Sequence, residues 1–247
     1  MNQDRYKIEA LTQVPKIEIA KTAGLRRHEI VNQLIGNQNT GIELGVATGL
    51  LSKRFVESGK FKSLFGVDVY GDVHDTEEYK NAIKLIGIDS NHKILRLTFD
   101  DALGLFPDEY FDFIYVDGFA HTGEEGGKTL VDWYGKLKIG GIMSGDDYHE
   151  DWPLVIWAVN HFASQLDVQI TLTDLVMDES YSKYPSWFFI KQNSFNPHTA
   201  PLDPRLVEIA QKEKTRIHNL RTSTSSLKFR ILRFIKRLIF NPGFFIK

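Results

Sequence analysis

The chain has 247 residues, of which 42% are hydrophobic and 25% are charged, as in ordinary globular proteins with a full core. It contains no cysteine, which excludes disulfides and thiolate metal sites. Residues 205–247 hold 11 Lys or Arg against 2 Glu, a balance of +9, which leaves residues 1–204 with 19 basic against 30 acidic side chains, a balance of −11. An acidic body does not attract phosphate backbones, so we do not expect nucleic acid as the substrate.

The hydropathy pattern shows no targeting segment. The N-terminal sequence MNQDRYKIEALTQ is polar and lacks the apolar core of a signal peptide. No apolar run reaches the roughly 18 residues that a membrane-spanning helix needs. Together with the lack of cysteine, these features predict a cytoplasmic protein in a reducing compartment.

Apolar spacing predicts the secondary structure. Residues 24–36 form an expected helix that stops at Gly36. Seven strand-like runs follow, at 40–44, 63–69, 93–99, 111–117, 141–146, 168–175 and 186–192. Helix-sized segments separate the first five runs, which favours parallel βαβ units, whereas the last two runs suit an antiparallel hairpin at the sheet edge. The predicted fold class is α/β, a Rossmann-like and mostly parallel seven-stranded sheet with helices on both faces.

Composition divides the chain into four segments. They are an N-terminal helical segment (1–39), the main α/β domain (40–192), a proline-containing linker (193–204) and the basic tail (205–247).

Residues 226–240 of the tail have an apolar stripe at helical spacing with Lys and Arg around its flanks. A helix of this length spans roughly 21 Å, too short to cross a bilayer of about 30 Å. We therefore expect peripheral attachment to an anionic membrane surface on its inner face. The alternative is that the stripe packs on the acidic body or on a second subunit in a homodimer.

The segment from Glu43 to Gly49, ELGVATG, joins the first run to a helix. A dinucleotide fingerprint requires G-x-G-x-x-G, but Ala47 holds the place of the second glycine and the third is absent. The remaining pattern, an acid followed by Gly45 and Gly49, resembles the E/D-x-G-x-x-x-G motif of class I S-adenosylmethionine-dependent methyltransferases. The resemblance implies that the amino-acid part of S-adenosylmethionine lies over this turn and that Glu43 supports the loop or the ligand's ammonium group. A turn without a ligand is the alternative.

Two further strand ends belong to the expected cofactor site. Asp68 ends the second run, and a carboxylate there accepts hydrogen bonds from both ribose hydroxyls in methyltransferases and NAD enzymes alike. Thr98 and Phe99 end the third run, in the region that lines adenine in these folds. Asp100 and Asp101 come next, and they suit helix N-caps equally well.

Residues 111–149, from FDFIYVDG to GDDYH, resemble a pattern of a methyltransferase group that includes the macrocin-type sugar O-methyltransferases. The resemblance covers about residues 40–192. It implies that Asp117, Asp146 and Asp147 hold a divalent cation such as Mg²⁺, which orients the acceptor hydroxyl and lowers its pKa. Carboxylates that converge at one sheet edge also repel one another unless a cation lies between them. The alternative is that these acids are turn and cap residues.

The general base is the least defined part of the expected site. Some relatives have a second acid where this chain has Phe119, after Asp117 and Gly118. His121 is then the first candidate, because an unperturbed pKa near 6.5 suits proton abstraction at neutral pH, and His149 is the second. Each histidine is equally suited to be a metal ligand or an ordinary loop residue.

The sequence therefore predicts an S-adenosylmethionine-dependent methyltransferase that methylates an oxygen of a sugar, a glycan or another small hydroxylated acceptor. We expect Asp117 to contact the cofactor as well as the metal ion. One alternative is an N-methylating or hydroxylase-like relative on the same scaffold. Another is a non-catalytic protein that binds S-adenosylmethionine and is recruited to membranes by its tail.

Overall fold

The structure is a computed structural model that describes residues 3–71, 74–118, 123–174, 184–212 and 215. The chain divides into two compact units, Met1–Leu202 and Asp203–Lys247. In the second unit, residues 204–212 are helical. The predicted tail helix over residues 226–240 lies outside the described residues, so its attachment to a membrane or a second subunit stays a prediction. Within the described ranges, no helix is both long and apolar enough to cross a membrane.

The first unit is built on a sheet of eight strands in the order β1-β7-β8-β6-β5-β2-β3-β4. The strands are β1 (Ile19–Lys21), β2 (Asn39–Leu44), β3 (Phe61–Val67), β4 (His92–Leu95), β5 (Phe111–Val116), β6 (Leu137–Gly145), β7 (Ile170–Leu172) and β8 (Trp187–Ile190). Neighbouring strands pair in parallel, except that β8 runs antiparallel to both β6 and β7. The sheet confirms the predicted Rossmann-like α/β fold.

Two details of the predicted sheet are corrected. The sheet has an eighth strand, β1, which pairs in parallel with β7 and was not predicted because it is only three residues long and mostly exposed. The last two strands do pair antiparallel, as expected, but they do not form an edge hairpin. Instead, β8 lies between β6 and β7, and β1 covers the outer side of β7.

The helices alternate with the strands along the chain. They are α1 (Gln3–Thr12), a 3₁₀ helix (Arg27–Gln33), α2 (Leu50–Glu57), α3 (Thr76–Ile86), α4 (Phe99–Leu103), α5 (Lys128–Tyr134) and α6 (Pro153–Leu166). The helix expected over 24–36 is thus a shorter 3₁₀ helix, in which Ile30 and Val31 are fully buried.

Successive side chains of β5 point to opposite faces of the sheet, and both faces are covered. Ile114 and Val116 belong to a core that includes side chains of α5 and α6. Phe113 and Tyr115 belong to a second core, with side chains of α2 and of the 3₁₀ helix. The 3₁₀ helix is therefore packed on the face of the sheet to which Tyr115 points.

The register of the central strands aligns their carboxyl ends. Leu44 of β2 pairs with Val67 of β3 and with Val116 of β5, and Val116 pairs with Gly145 of β6. The residues that follow these four strand ends are Gly45, Asp68, Asp117 and Asp146. Because adjacent strands lie about 4.8 Å apart, these four residues form a row along one edge of the sheet. Ligands of open α/β sheets bind at this carboxyl edge.

His92, the first residue of β4, is a buried histidine with an unusual environment. Its side chain covers Gly66 of β3, where an added Cβ would lie 2.7 Å from the imidazole Cε1. Neither ring nitrogen meets a hydrogen-bond partner in the part of the chain that the structure describes. Burial therefore lowers the pKa of His92 to about 4.

We predict that His92 makes the fold sensitive to acid. A group whose pKa is lowered by folding contributes stability above its unfolded pKa near 6.5, and this stability is lost as the pH falls toward 4. Between pH 7 and pH 5 the loss should be about 2 kcal/mol in the free energy of unfolding. Urea titrations of the wild type and of His92→Leu at both pH values measure it.

The variant His198→Leu, at an exposed histidine, provides the matched control and should keep the wild-type pH dependence. An acid-induced loss of stability that is equal in His92→Leu and in the wild type would contradict the prediction.

Candidate active site

The glycine turn after β2 lies against the backbone of the loop after β5. Gly45 has a φ of +103°, and a Cβ at this position would come within 2.7 Å of the Gly118 nitrogen. Only glycine lets the two loops approach so closely. Ala47 and Gly49 also have positive φ, and Gly49 is the N-cap of α2. The turn is thus a tightly constrained connection that reaches α2 directly.

Asp68 holds this turn in its shape. Its Oδ2 accepts hydrogen bonds from the backbone N–H groups of Val46 at 3.0 Å and Ala47 at 2.9 Å, and its Oδ1 accepts from the N–H of Tyr70 at 3.1 Å. The Tyr70 hydroxyl donates to the Ala47 carbonyl at 2.7 Å and closes the arrangement. Oδ2 therefore has both lone pairs engaged and Oδ1 has one left, so the expected contact of Asp68 with a ribose stays a prediction.

Glu43 is the second-last residue of β2, and its side chain lies between the sheet and α2. Its carboxyl group is buried and hydrogen-bonded to the hydroxyl of Ser52 in α2. Burial raises the pKa of Glu43 to about 8, with a smaller contribution in the same direction from the negative charge of Asp117. The side chain is therefore mostly protonated at neutral pH and links the end of β2 to the first turns of α2.

The region of Thr98 and Phe99 differs from the prediction. Strand β4 ends at Leu95, and Thr98 is the N-cap of α4, where its hydroxyl oxygen accepts from the Asp101 N–H at 3.0 Å. The cap is therefore Thr98 and not one of the two acids that follow, which lie in the first turn of the helix. The tip of the Phe99 ring lies next to Gly118, in the loop after β5, and is 3.3 Å from the place that a Cβ on Gly118 would occupy.

Asp117 and Asp146 lie close together, as expected, but the guanidinium of Arg27 lies between their carboxylates. Nη2 of Arg27 is 2.8 Å from Oδ2 of Asp117 and 3.1 Å from Oδ2 of Asp146. The Arg27 side chain is only 4% exposed, and its Nε donates to the Tyr115 hydroxyl at 3.0 Å. The cation that the converging acids require is therefore supplied by the protein, from the 3₁₀ helix.

A network of hydroxyl groups extends this cluster to β8. The Ser186 hydroxyl donates to Oδ1 of Asp146 at 3.0 Å and lies 2.8 Å from the Tyr115 hydroxyl. Burial raises the pKa of Asp146 to about 6, and the Arg27 charge opposes that rise. The sequence offered no signal for Arg27, because 90 residues separate it from Asp117.

The predicted set of metal ligands does not fit a divalent ion in this arrangement. Arg27 bridges Asp117 and Asp146, and Asp147 adopts a left-handed backbone conformation with a φ of +57°. Across residues 3–71, 74–118, 123–174 and 184–212, no group of three or more His, Asp or Glu side chains is placed to hold a metal ion. The prediction of a Mg²⁺ site thus finds no support in the described residues.

The two candidate bases stay predictions. His121 lies outside the described residues. His149 is in the loop after β6, where its Nδ1 accepts from the Asp151 N–H at 3.1 Å. Its ring stacks on Tyr184, with 4.6 Å between ring centroids.

The chain is similar to a known domain family and to several solved structures. Residues 39–148 match a family model described as a methyltransferase domain. A spermidine synthase in complex with the transition-state analogue AdoDATO superposes with a TM-score of 0.52 at 16% identity, over 74% of this chain and 69% of that chain. The spermidine synthase from Thermotoga maritima gives a TM-score of 0.51 at 14% identity, with the same coverage.

A third structure, a complex that contains the Haloferax volcanii Trm112 methyltransferase activator, matches at 20% identity with a TM-score of 0.36. That match covers 58% of this chain and 53% of the other, so this chain spans about half its length. No curated protein matches the chain. Residues 39–148 are thus similar to a methyltransferase domain, and the fold is shared with the two spermidine synthases.

We predict that Glu43 makes the protein less stable as the pH rises. A carboxyl group whose pKa is raised by folding contributes stability below its unfolded pKa of 4.5, and this is lost as the pH rises through 8. Between pH 6.5 and 8 the free energy of unfolding should fall by about 1.6 kcal/mol in total, with a slope that decreases as Glu43 becomes half ionised near pH 8. In Glu43→Gln this component disappears, which chemical denaturation at the two pH values measures.

Glu57→Gln, at an exposed glutamate of the same helix α2, is the matched control and should behave as the wild type does. The assignment fails if Glu43→Gln and the wild type lose equal stability over this interval.

Proposed function

We propose that the protein transfers the methyl group of S-adenosylmethionine to a hydroxyl group of a sugar, a glycan or another small acceptor. The observation that carries this proposal is the row of Gly45, Asp68 and Asp117 at the aligned carboxyl ends of β2, β3 and β5. The methyltransferase-domain match over residues 39–148 supports the choice of cofactor. The glycine turn supports it too, because it lacks the second glycine that a pyrophosphate requires.

The described contacts suggest how the cofactor is held. The amino-acid part lies over the turn that contains Gly45, Ala47 and Gly49, which Asp68 fixes from below. The remaining lone pair on Oδ1 of Asp68 accepts a ribose hydroxyl, since the backbone contacts of this side chain leave one acceptor position open. The adenine lies toward Thr98 and Phe99, beside the Asp117–Gly118 loop. Glu43 does not contact the cofactor and instead supports the turn, because its hydrogen bond with Ser52 links the end of β2 to α2.

The reaction is an in-line displacement. The acceptor oxygen forms a bond to the methyl carbon, the bond from that carbon to sulfur breaks, S-adenosylhomocysteine leaves, and the acceptor proton passes to a base. The protein contributes chiefly by aligning the acceptor oxygen with the methyl group and by excluding water. His121 and His149 are the proposed bases. Binding of residues 226–240 to a membrane would bring the enzyme close to lipid-linked glycans. We therefore propose lipid-linked intermediates of polysaccharide synthesis as the class of acceptor.

We predict that calorimetry detects binding of S-adenosylmethionine and S-adenosylhomocysteine but not of NAD. Asp68→Asn should weaken binding about 10- to 100-fold, because it replaces the charged acceptor of the ribose hydroxyl with a neutral one and loosens the turn. The matched control is Asp89→Asn, at an exposed aspartate in the loop before β4, which should leave the affinity unchanged.

Circular dichroism checks that Asp68→Asn remains folded. Binding of NAD in place of S-adenosylmethionine, or unchanged affinity in folded Asp68→Asn, contradicts the proposed cofactor site. Incubation with methyl-labelled cofactor and a panel of glycosides and amines then tests the acceptor. Label found only on amine nitrogen would overturn the oxygen acceptor while leaving the methyltransferase activity intact.

A further inference from the structure

Several simultaneous contacts hold the Arg27 guanidinium in one position. Its guanidinium contacts Asp117, Asp146 and the Tyr115 hydroxyl at once, and its Cζ lies 5.4 Å from the centroid of the Tyr115 ring. A guanidinium offers five N–H donors in one plane, so a single side chain can serve several acceptors. These contacts hold Arg27 on more than one side.

The 3₁₀ helix that carries Arg27 is itself anchored. Ile30 and Val31 are fully buried against the second core, which includes Phe113 and Tyr115 of β5. The helix begins with a capping box in which Glu29 accepts from the Arg26 N–H at 2.9 Å. To move the guanidinium out of the cluster, the protein must give up its ion pairs and open this packing.

A divalent cation between Asp117 and Asp146 would have to take the place that Arg27 fills. It would either displace the guanidinium, leaving a buried charge without its partners, or lie next to it with like charges in a poorly screened environment. Both alternatives are costly, because removing a partner from a buried ion pair leaves an uncompensated charge. The cluster is therefore built to exclude the metal that the sequence resemblance implied.

We propose that Arg27 replaces the divalent cation at the acceptor end of this site, so that methyl transfer proceeds without a metal ion. Arg27 is a positioning residue, which keeps the Asp117 and Asp146 carboxylates fixed at the ends of β5 and β6. The inference rests on the proposed methyltransferase function for its catalytic part. The exclusion of metal from the cluster is a binding property, and it is measured without any acceptor.

The binding experiment titrates Mn²⁺ into the metal-stripped full-length protein, with Mn²⁺ detected by electron paramagnetic resonance. We expect that the wild type and Asp146→Asn bind Mn²⁺ equally, since any ions bound to the acidic surface lie elsewhere. Arg27→Gln should gain a site and bind Mn²⁺ at least 10-fold more tightly than the wild type. Wild-type binding that Asp146→Asn abolishes would overturn the proposal.

Thermal unfolding gives a second readout. Arg27→Gln should melt roughly 10 °C below the wild type, because the buried carboxylate of Asp146 and the partly buried one of Asp117 lose their counter-ion. Added Mn²⁺ should recover part of this loss in Arg27→Gln but leave the wild type unchanged. Arg27→Lys retains the charge and should lie between the two, without a response to Mn²⁺. The control Arg54→Gln, at a partly exposed arginine of α2, should melt as the wild type does.

If Arg27→Gln does not fold, the wild-type titration and Arg27→Lys still decide the question. A wild-type melting temperature that Mn²⁺ raises through Asp146 would overturn the proposal. With an acceptor in hand, exhaustive chelation should change turnover less than twofold, and a loss above 10-fold that Mg²⁺ restores would refute metal-free transfer. Failure to bind S-adenosylmethionine instead refutes the proposed function, and it leaves the Mn²⁺ result standing.

Discussion

The ion pairs of the buried Arg27 with Asp117 and Asp146 are the interaction on which the rest of the site depends. Parallel strands place their carboxyl ends along one edge, so acids that end neighbouring strands are forced together in a weakly solvated place. The 3₁₀ helix supplies the compensating charge from a position 90 residues before Asp117. Its apolar residues pack on β5, and that packing delivers the guanidinium to the edge.

The part of the edge around the glycine turn, where we propose that the cofactor binds, is held by a different kind of contact. Gly45 lies against the backbone of the Asp117–Gly118 loop, and the Asp68 carboxylate accepts hydrogen bonds from three backbone N–H groups. Asp117 is common to both halves, because it accepts from Arg27 and its neighbouring peptide lies against the glycine turn. A disturbance of the ion pairs should therefore be transmitted to the turn. Asp117 thus links the geometry of the Arg27 cluster to that of the glycine turn.

Much of the fold could be predicted from the sequence, because strand-length apolar runs, helix-sized spacers and glycine turns are local signals. The acids at the strand ends could be predicted for the same reason. The three-residue strand β1 could not, since its pairing with β7 depends on a partner about 150 residues away. The contact of Arg27 with Asp117 is equally remote, and an isolated arginine in a helical segment has no pattern of its own. The requirement for a cation was visible in the sequence, but the group that meets it was not.

The most direct test is a crystal structure of the full-length protein grown with S-adenosylhomocysteine and excess Mn²⁺, with anomalous scattering used to locate the metal. We expect the ligand over the turn at Gly45, with its ribose at Asp68. We also expect Arg27 between Asp117 and Asp146, with no anomalous peak there. A Mn²⁺ ion coordinated by these two carboxylates, with the guanidinium displaced, would contradict the proposed role of Arg27.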